Sequence, residues 1–114
     1  MKAYLIDPFT KTISMVEYSG DYNEIYKLIE CDTFTCADFN EFGDTVFVDD
    51  EGLINGKDQE FFLIGDYPTP LAGKALVLGT NQEGESVEPS MTIEQVAVRV
   101  EWIPNSTHII LLDV

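Results

Sequence analysis

The chain has 114 residues, 45% of them apolar, and carries 21 Asp and Glu against 6 Lys and Arg, a net charge of −15. That length bounds a single domain with a modest core, to be closed by seven Phe, five Tyr and Trp102. The charge argues against direct binding to nucleic acid or to an anionic membrane surface, both of which repel it, and favours a basic protein surface as partner.

No apolar run approaches the ~18 residues of a membrane span. The opening Met1-Lys-Ala-Tyr-Leu-Ile-Asp-Pro8 meets a charge too early for a signal peptide, so a soluble cytosolic protein is expected. Cys31 and Cys36 lack the second Cys or His pair that structural zinc requires and read as free thiols in a reducing compartment.

In chain order, Ala3 to Asp7 is short and β-prone, and Asp7-Pro8 marks a turn before the alternating stretch Lys11 to Tyr18, which predicts an opening hairpin. Ser19-Gly20-Asp21 offers an N-cap. Tyr22, Ile25, Tyr26, Leu28 and Ile29 then share one side of a helical wheel, so a helix is expected over 22–30. Thr33 to Phe39 and Asp44 to Asp49 form a second hairpin, with Gly43 supplying a positive φ in the turn. Glu60 to Gly65 and Ala75 to Gly79 are brief apolar runs bounded by Gly and Pro, hence buried strands. Thr92-Ile-Glu-Gln95 has the form of a capping box for a single helical turn, after which Val96 to Ile103 alternates like a strand, and His108 to Leu112 reads as one more.

The sum is an α+β domain: one small mixed or antiparallel sheet of six or seven strands with one main helix packed on it. Its expected core is Leu5, Ile13, Ile25, Leu28, Ile29, Phe34, Val46, Val48, Leu76, Leu78, Val98, Val100 and Trp102.

The segment from Val48 to Gly79 invites a search for chemistry. Asp49-Asp50-Glu51-Gly52 looks like the start of a calcium loop, yet with Gly56 at loop position 6 Leu53 and Phe62 fall where oxygen ligands belong, and with Gly52 there Phe47 opens the loop. Gly73-Lys74 has Pro68 where a P-loop needs its first glycine and Ala75 where it needs Ser or Thr. His108, the one histidine, precedes an apolar run and has no credible triad partner in the nearby Ser106. No catalytic residue, metal or cofactor is therefore expected. The bland reading is a set of turns, with Pro68 and Pro70 holding an extended connector.

Met1-Lys-Ala-Tyr-Leu-Ile-Asp-Pro8, Cys31-Asp-Thr-Phe34, Val48-Asp-Asp-Glu-Gly52 and Tyr67-Pro-Thr-Pro-Leu-Ala-Gly-Lys-Ala-Leu-Val-Leu-Gly79 together resemble the DUF3846 family. These are small uncharacterised proteins that recur in bacteriophages, plasmids and bacterial mobile elements. The resemblance runs over residues 1–104 and leaves 105–114 as a C-terminal strand extension. It implies a phage or mobile-element protein at work in the bacterial cytoplasm, and it carries over no catalytic residue.

Three kinds of function follow as expectations. The first is an acidic binder of a host protein with a basic surface, in its most specific form an inhibitor that imitates DNA, with Asp49, Asp50, Glu51, Asp58 and Glu60 as partner-binding residues. Magnitude limits the imitation: the charge spread over roughly 6,300 Å² is about one per 420 Å², against about one per 110 Å² on duplex DNA. Imitation thus requires the carboxylates to gather on one face. The second is a structural or accessory phage protein. The third is a small-ligand module for a nucleotide signal, with Lys74, Arg99 and Tyr67 as ligand-binding residues; the favoured reading of Lys74 is a structural ion pair, with an anionic ligand as the alternative. His108-Ile-Ile-Leu-Leu112, apolar on both faces, is expected either to lie buried within its own monomer or to pair with another copy, giving a homo-oligomer through residues 107–114.

Overall fold

A computed structural model describes residues 1–38, 43–50, 60–65 and 67–103. The opening hairpin is β1 (Lys2–Asp7) and β2 (Thr12–Glu17), paired antiparallel from Lys2↔Glu17 to Asp7↔Thr12. Its turn is held by the Asp7 carboxylate, which accepts from the amides of Phe9 and Thr10 at 2.9 and 3.4 Å. Helix α1 (Tyr22–Leu28) starts where Asp21 accepts from the Asn23 amide at 3.0 Å, with Glu24 in the first turn and Lys27 in the last. It stops two residues before the predicted end because Glu30 adopts a left-handed φ of 55°, which an α-helix cannot continue.

The second hairpin is β3 (Phe34–Asp38) and β4 (Asp44–Asp49), and Gly43 has the positive φ its turn demands, 89°. Then follow β5 (Phe61–Ile64), β6 (Leu71–Ala72), β7 (Ala75–Thr80), β8 (Ser86–Val87), α2 (Ile93–Ala97) and β9 (Val100–Ile103). All the pairings among the described residues are antiparallel. The main sheet has the order β2-β1-β7-β4-β3, with β8 joined to the end of β7, and a second sheet has the order β6-β5-β9. The expected α+β class holds, but the strands divide between two sheets.

That division explains why Ala75 to Leu78 is an unbroken apolar run. β7 is central and covered on both faces. Leu76 and Leu78 point to α1 and pack with Ala3, Tyr18, Ile25 and Ile29. Ala75 and Val77 point to the second sheet and α2, packing with Tyr4, Ile6, Val46, Phe62, Ile64 and Val96. Gly79 stands in β7 where the chain leaving β8 passes closely: a Cβ there would stand 2.5 Å from the Glu88 carbonyl oxygen.

Of the expected core, Ile25, Ile29, Val46, Val48, Leu76 and Leu78 are buried, while Leu5, Ile13, Leu28, Phe34, Val100 and Trp102 pack against the buried clusters from partly exposed positions. Val98 is a correction: it is 80% exposed. The capping box is present, Thr92 accepting from Gln95 and Gln95 from Thr92, and it drives a helix through Ala97, so strand alternation begins only at Val100. Val98 then falls on the turn between them. The expected strand His108 to Leu112 and the oligomer contact at 107–114 lie outside the described residues.

Tyr18 is 1% exposed, and among the described residues its hydroxyl has no hydrogen-bond partner. Burial above all, then Tyr22, Asp21 and Glu24, raises its pKa. Tyr18→Phe should therefore stabilise the fold by about 1 kcal/mol in urea unfolding, since an unpaired buried hydroxyl is a cost. A loss of that size would show that the hydroxyl has a partner. Because the folded chain holds this proton more tightly than the unfolded chain, the neutral tyrosine favours folding below pH about 10, and stability declines as pH rises beyond it.

Candidate functional site

The carboxylates singled out in the sequence are placed by the register of β4 and β7. Asp44↔Gly79 and Val48↔Ala75 put Asp49 and Asp50 at the end of the main sheet where β7 begins. The Asp50 amide donates to the Thr33 carbonyl at 3.1 Å, which draws Asp32 alongside them. The Gly73 amide donates to the Glu60 carbonyl at 2.9 Å, fixing Glu60 at the same end. Lys74 forms an ion pair with Glu30 there, tying the end of α1 to the start of β7. Glu30 keeps its left-handed backbone, a conformation that favours glycine, while supplying this carboxylate.

Five acidic residues from separate parts of the chain, Glu30, Asp32, Asp49, Asp50 and Glu60, are thus carried to one end of the fold by their backbones. Glu51 and Asp58, the other two partner-binding candidates, lie outside the described residues. Glu83 and Glu85 sit on the turn from β7 to β8 at the opposite end, where Asn81 accepts from the amides of both at 3.0 and 2.8 Å. Glu88 is on that side too, its carboxylate accepting from the Lys2 amide at 2.6 Å.

The ligand-binding candidates are not brought together. Lys74 stands at the Phe61 end of β5, where Phe61 pairs with Ala72. Tyr67 and Arg99 stand at the other end: the Tyr67 amide donates to the Ile64 carbonyl and the Gly65 amide to the Arg99 carbonyl. A four-residue strand, about 10 Å long, separates the two ends. The Arg99 guanidinium donates to the Gln95 carbonyl at 2.8 Å, and the Tyr67 ring packs on the core. Among the described residues no three His, Cys, Asp or Glu stand where they could hold a metal ion, and no helix is long and apolar enough to cross a membrane.

The same acidic end acts on Cys31. Burial first, then Asp49 and Asp32, push its thiol up to about 11. A thiol two units above its ordinary value carries about a hundredfold less of the reactive thiolate near neutrality. Both cysteines are free, and Cys36 is exposed on β3. Titration with a disulfide reagent at pH 8 should modify Cys36 first and Cys31 in a distinctly slower phase; a single fast phase for two thiols would contradict this. Asp32→Asn should speed the slow phase.

One functional group escaped the sequence reading. Asp44 is fully buried, and its carboxylate accepts from the amides of Ser90 at 2.8 Å and Met91 at 3.1 Å. The Tyr4 hydroxyl donates to the Met91 carbonyl at 2.7 Å. Together they pin the strap that leads into α2. The period of two was the available signal, since Asp44 shares its face of β4 with Val46 and Val48.

The family model described as "Domain of unknown function (DUF3846)" matches residues 1–101. The chain is also similar to "Uncharacterized protein y4iR" of Sinorhizobium fredii (strain NBRC 101917 / NGR234), with 33% identity over 98 residues. That alignment covers 84% of this chain and 60% of the relative, so the chain spans about three fifths of the relative's length. No solved structure matches. With the match running from the first residue to within β9, the chain belongs to the DUF3846 family.

Proposed function

We propose that this is a protein-binding module of a phage or bacterial mobile element, which docks the acidic end of its main sheet against a basic surface on a host protein. The observation that carries the reading is the placement by backbone bonds of Glu30, Asp32, Asp49, Asp50 and Glu60 at one end of the fold, where Lys74 is already paired with Glu30. Carboxylates held this way focus a negative potential that attracts and orients a cationic partner.

The reading is of local docking rather than imitation of a duplex. The net charge of −15 over 6931 Å² is about one per 460 Å², several times more dilute than DNA. The Glu83, Glu85 and Glu88 group also lies at the far end of the sheet instead of extending the first group.

Affinity capture from bacterial lysate tests it, with the wild-type chain and a variant carrying Asp32→Asn, Asp49→Asn, Asp50→Asn and Glu60→Gln as baits. A host protein held by the wild type, released by salt and not held by the variant is the expected result. Equal retention by both baits would overturn the reading.

A further inference from the structure

The strand order leaves β3 at one rim of the main sheet, with no neighbour on its outer side among the described residues. Its hydrogen-bonding phase follows from the Asp50 amide donating to the Thr33 carbonyl. In an antiparallel ladder, bonded and non-bonded pairs alternate, so Thr35 and Ala37 turn their backbone groups toward β4 while Phe34, Cys36 and Asp38 turn theirs outward. A row of outward N–H and C=O groups is a template for another strand, and edges are ordinarily blunted by Lys, Pro or a bulge. Here the four residues Phe34-Thr-Cys-Ala37 carry none of these.

The surroundings select what would add to it. Exposed Asp32 and Asp38 bracket the strand, and Asp49 stands opposite Phe34. On the α1 face the rings of Tyr26, Phe34 and Phe47 form a line, with centroids 4.9 and 5.6 Å apart, and Tyr26 remains 37% exposed. Carboxylates beside aromatic faces suit the stems and charges of lysine and arginine. A second copy of the chain, at −15, would be repelled from the same edge.

Resting on the docking reading above, we propose that the outer edge of β3 is where the partner engages: an extended segment bearing Lys or Arg adds to the main sheet as one more strand, its backbone bonding to Phe34, Cys36 and Asp38 and its cations facing Asp32 and Asp38. Main-chain bonds then give affinity and the flanking charges give selectivity for basic sequences.

The test titrates the full chain with an octapeptide alternating Lys and Thr, its Glu-Thr counterpart, and a Lys-Thr peptide N-methylated at alternate amides, following backbone amides by NMR and hydrogen exchange. The Lys-Thr peptide should slow exchange at Phe34, Cys36 and Asp38. The Glu-Thr and N-methylated peptides should not, and Asp32→Asn with Asp38→Asn should weaken binding by about three- to tenfold, as exposed ion pairs do. Binding that leaves those three amides unprotected, binding indifferent to N-methylation, or no binding at all would overturn the edge proposal. The two proposals fail separately: a host protein lost with the four carboxylates while the peptide leaves Phe34, Cys36 and Asp38 unprotected keeps the docking reading and overturns only the edge.

Discussion

Asp44→Ala is expected to lower the unfolding free energy by about 3–5 kcal/mol, a large share of the roughly 5–15 kcal/mol available to a domain of this size. The reason is the number of groups it leaves unpaired. The carboxylate is fully buried and accepts from the Ser90 and Met91 amides, and each amide deprived of its acceptor away from water costs about 1–3 kcal/mol. The strap they belong to carries Met91, itself in the core and bonded to Tyr4, and leads directly into α2. Asp44→Asn, which retains one acceptor oxygen of similar position, should lose about half as much. Urea unfolding with an unchanged slope measures the difference; a variant Asp44→Ala within about 1 kcal/mol of wild type would show that the strap is held by something else.

Phe62→Ala should cost a comparable amount, about 3–5 kcal/mol, by opening a cavity where the two sheets meet. Phe62 is 0% exposed at the centre of β5, pairs with Trp102 on β9, and stands edge-on to that indole with centroids 6.4 Å apart. Its loss removes contacts to the second sheet and to the face of β1, β4 and β7 at once. The smaller change Phe62→Leu should fall between. Trp102 reports the site directly: its fluorescence should shift toward that of an exposed indole in the alanine variant. An unaltered emission together with an unaltered urea midpoint would place Phe62 outside the core.

The contrast between these two residues shows what the sequence made legible. Phe62 belongs to an apolar run bounded by Glu60 and Gly65 that read as a buried strand, though Phe62 itself was not among the expected core residues; both hairpins, α1 and the capping box at Thr92 followed from pattern. The two-sheet arrangement was not readable. An apolar run covered on both faces gives no hint of which layer covers which face, and β7 needed its partners β1 and β4 before Leu76 and Val77 could be assigned to opposite cores. Val98 failed for a related reason: alternation continued through a helix that a capping box had already started, so period and cap conflicted and the cap won.

The candidate site was half legible. Asp49, Asp50 and Glu60 stood out as part of a charge group, but their placement at one end with Asp32 depends on the Thr33–Asp50 and Glu60–Gly73 backbone bonds, which no local pattern encodes. Lys74 was legible as an outlying cation, and only the fold supplied Glu30 as its partner.

The most direct test of the docking claim is zero-length carbodiimide crosslinking of the captured host complex, followed by mass spectrometry of the joined peptides. This chemistry couples a carboxylate only to an amine it already touches, so it reports which acidic end is in the interface. Bonds from partner lysines to Asp32, Asp49, Asp50 or Glu60 are the expected result. Bonds confined to Glu83, Glu85 and Glu88 at the opposite end would contradict it.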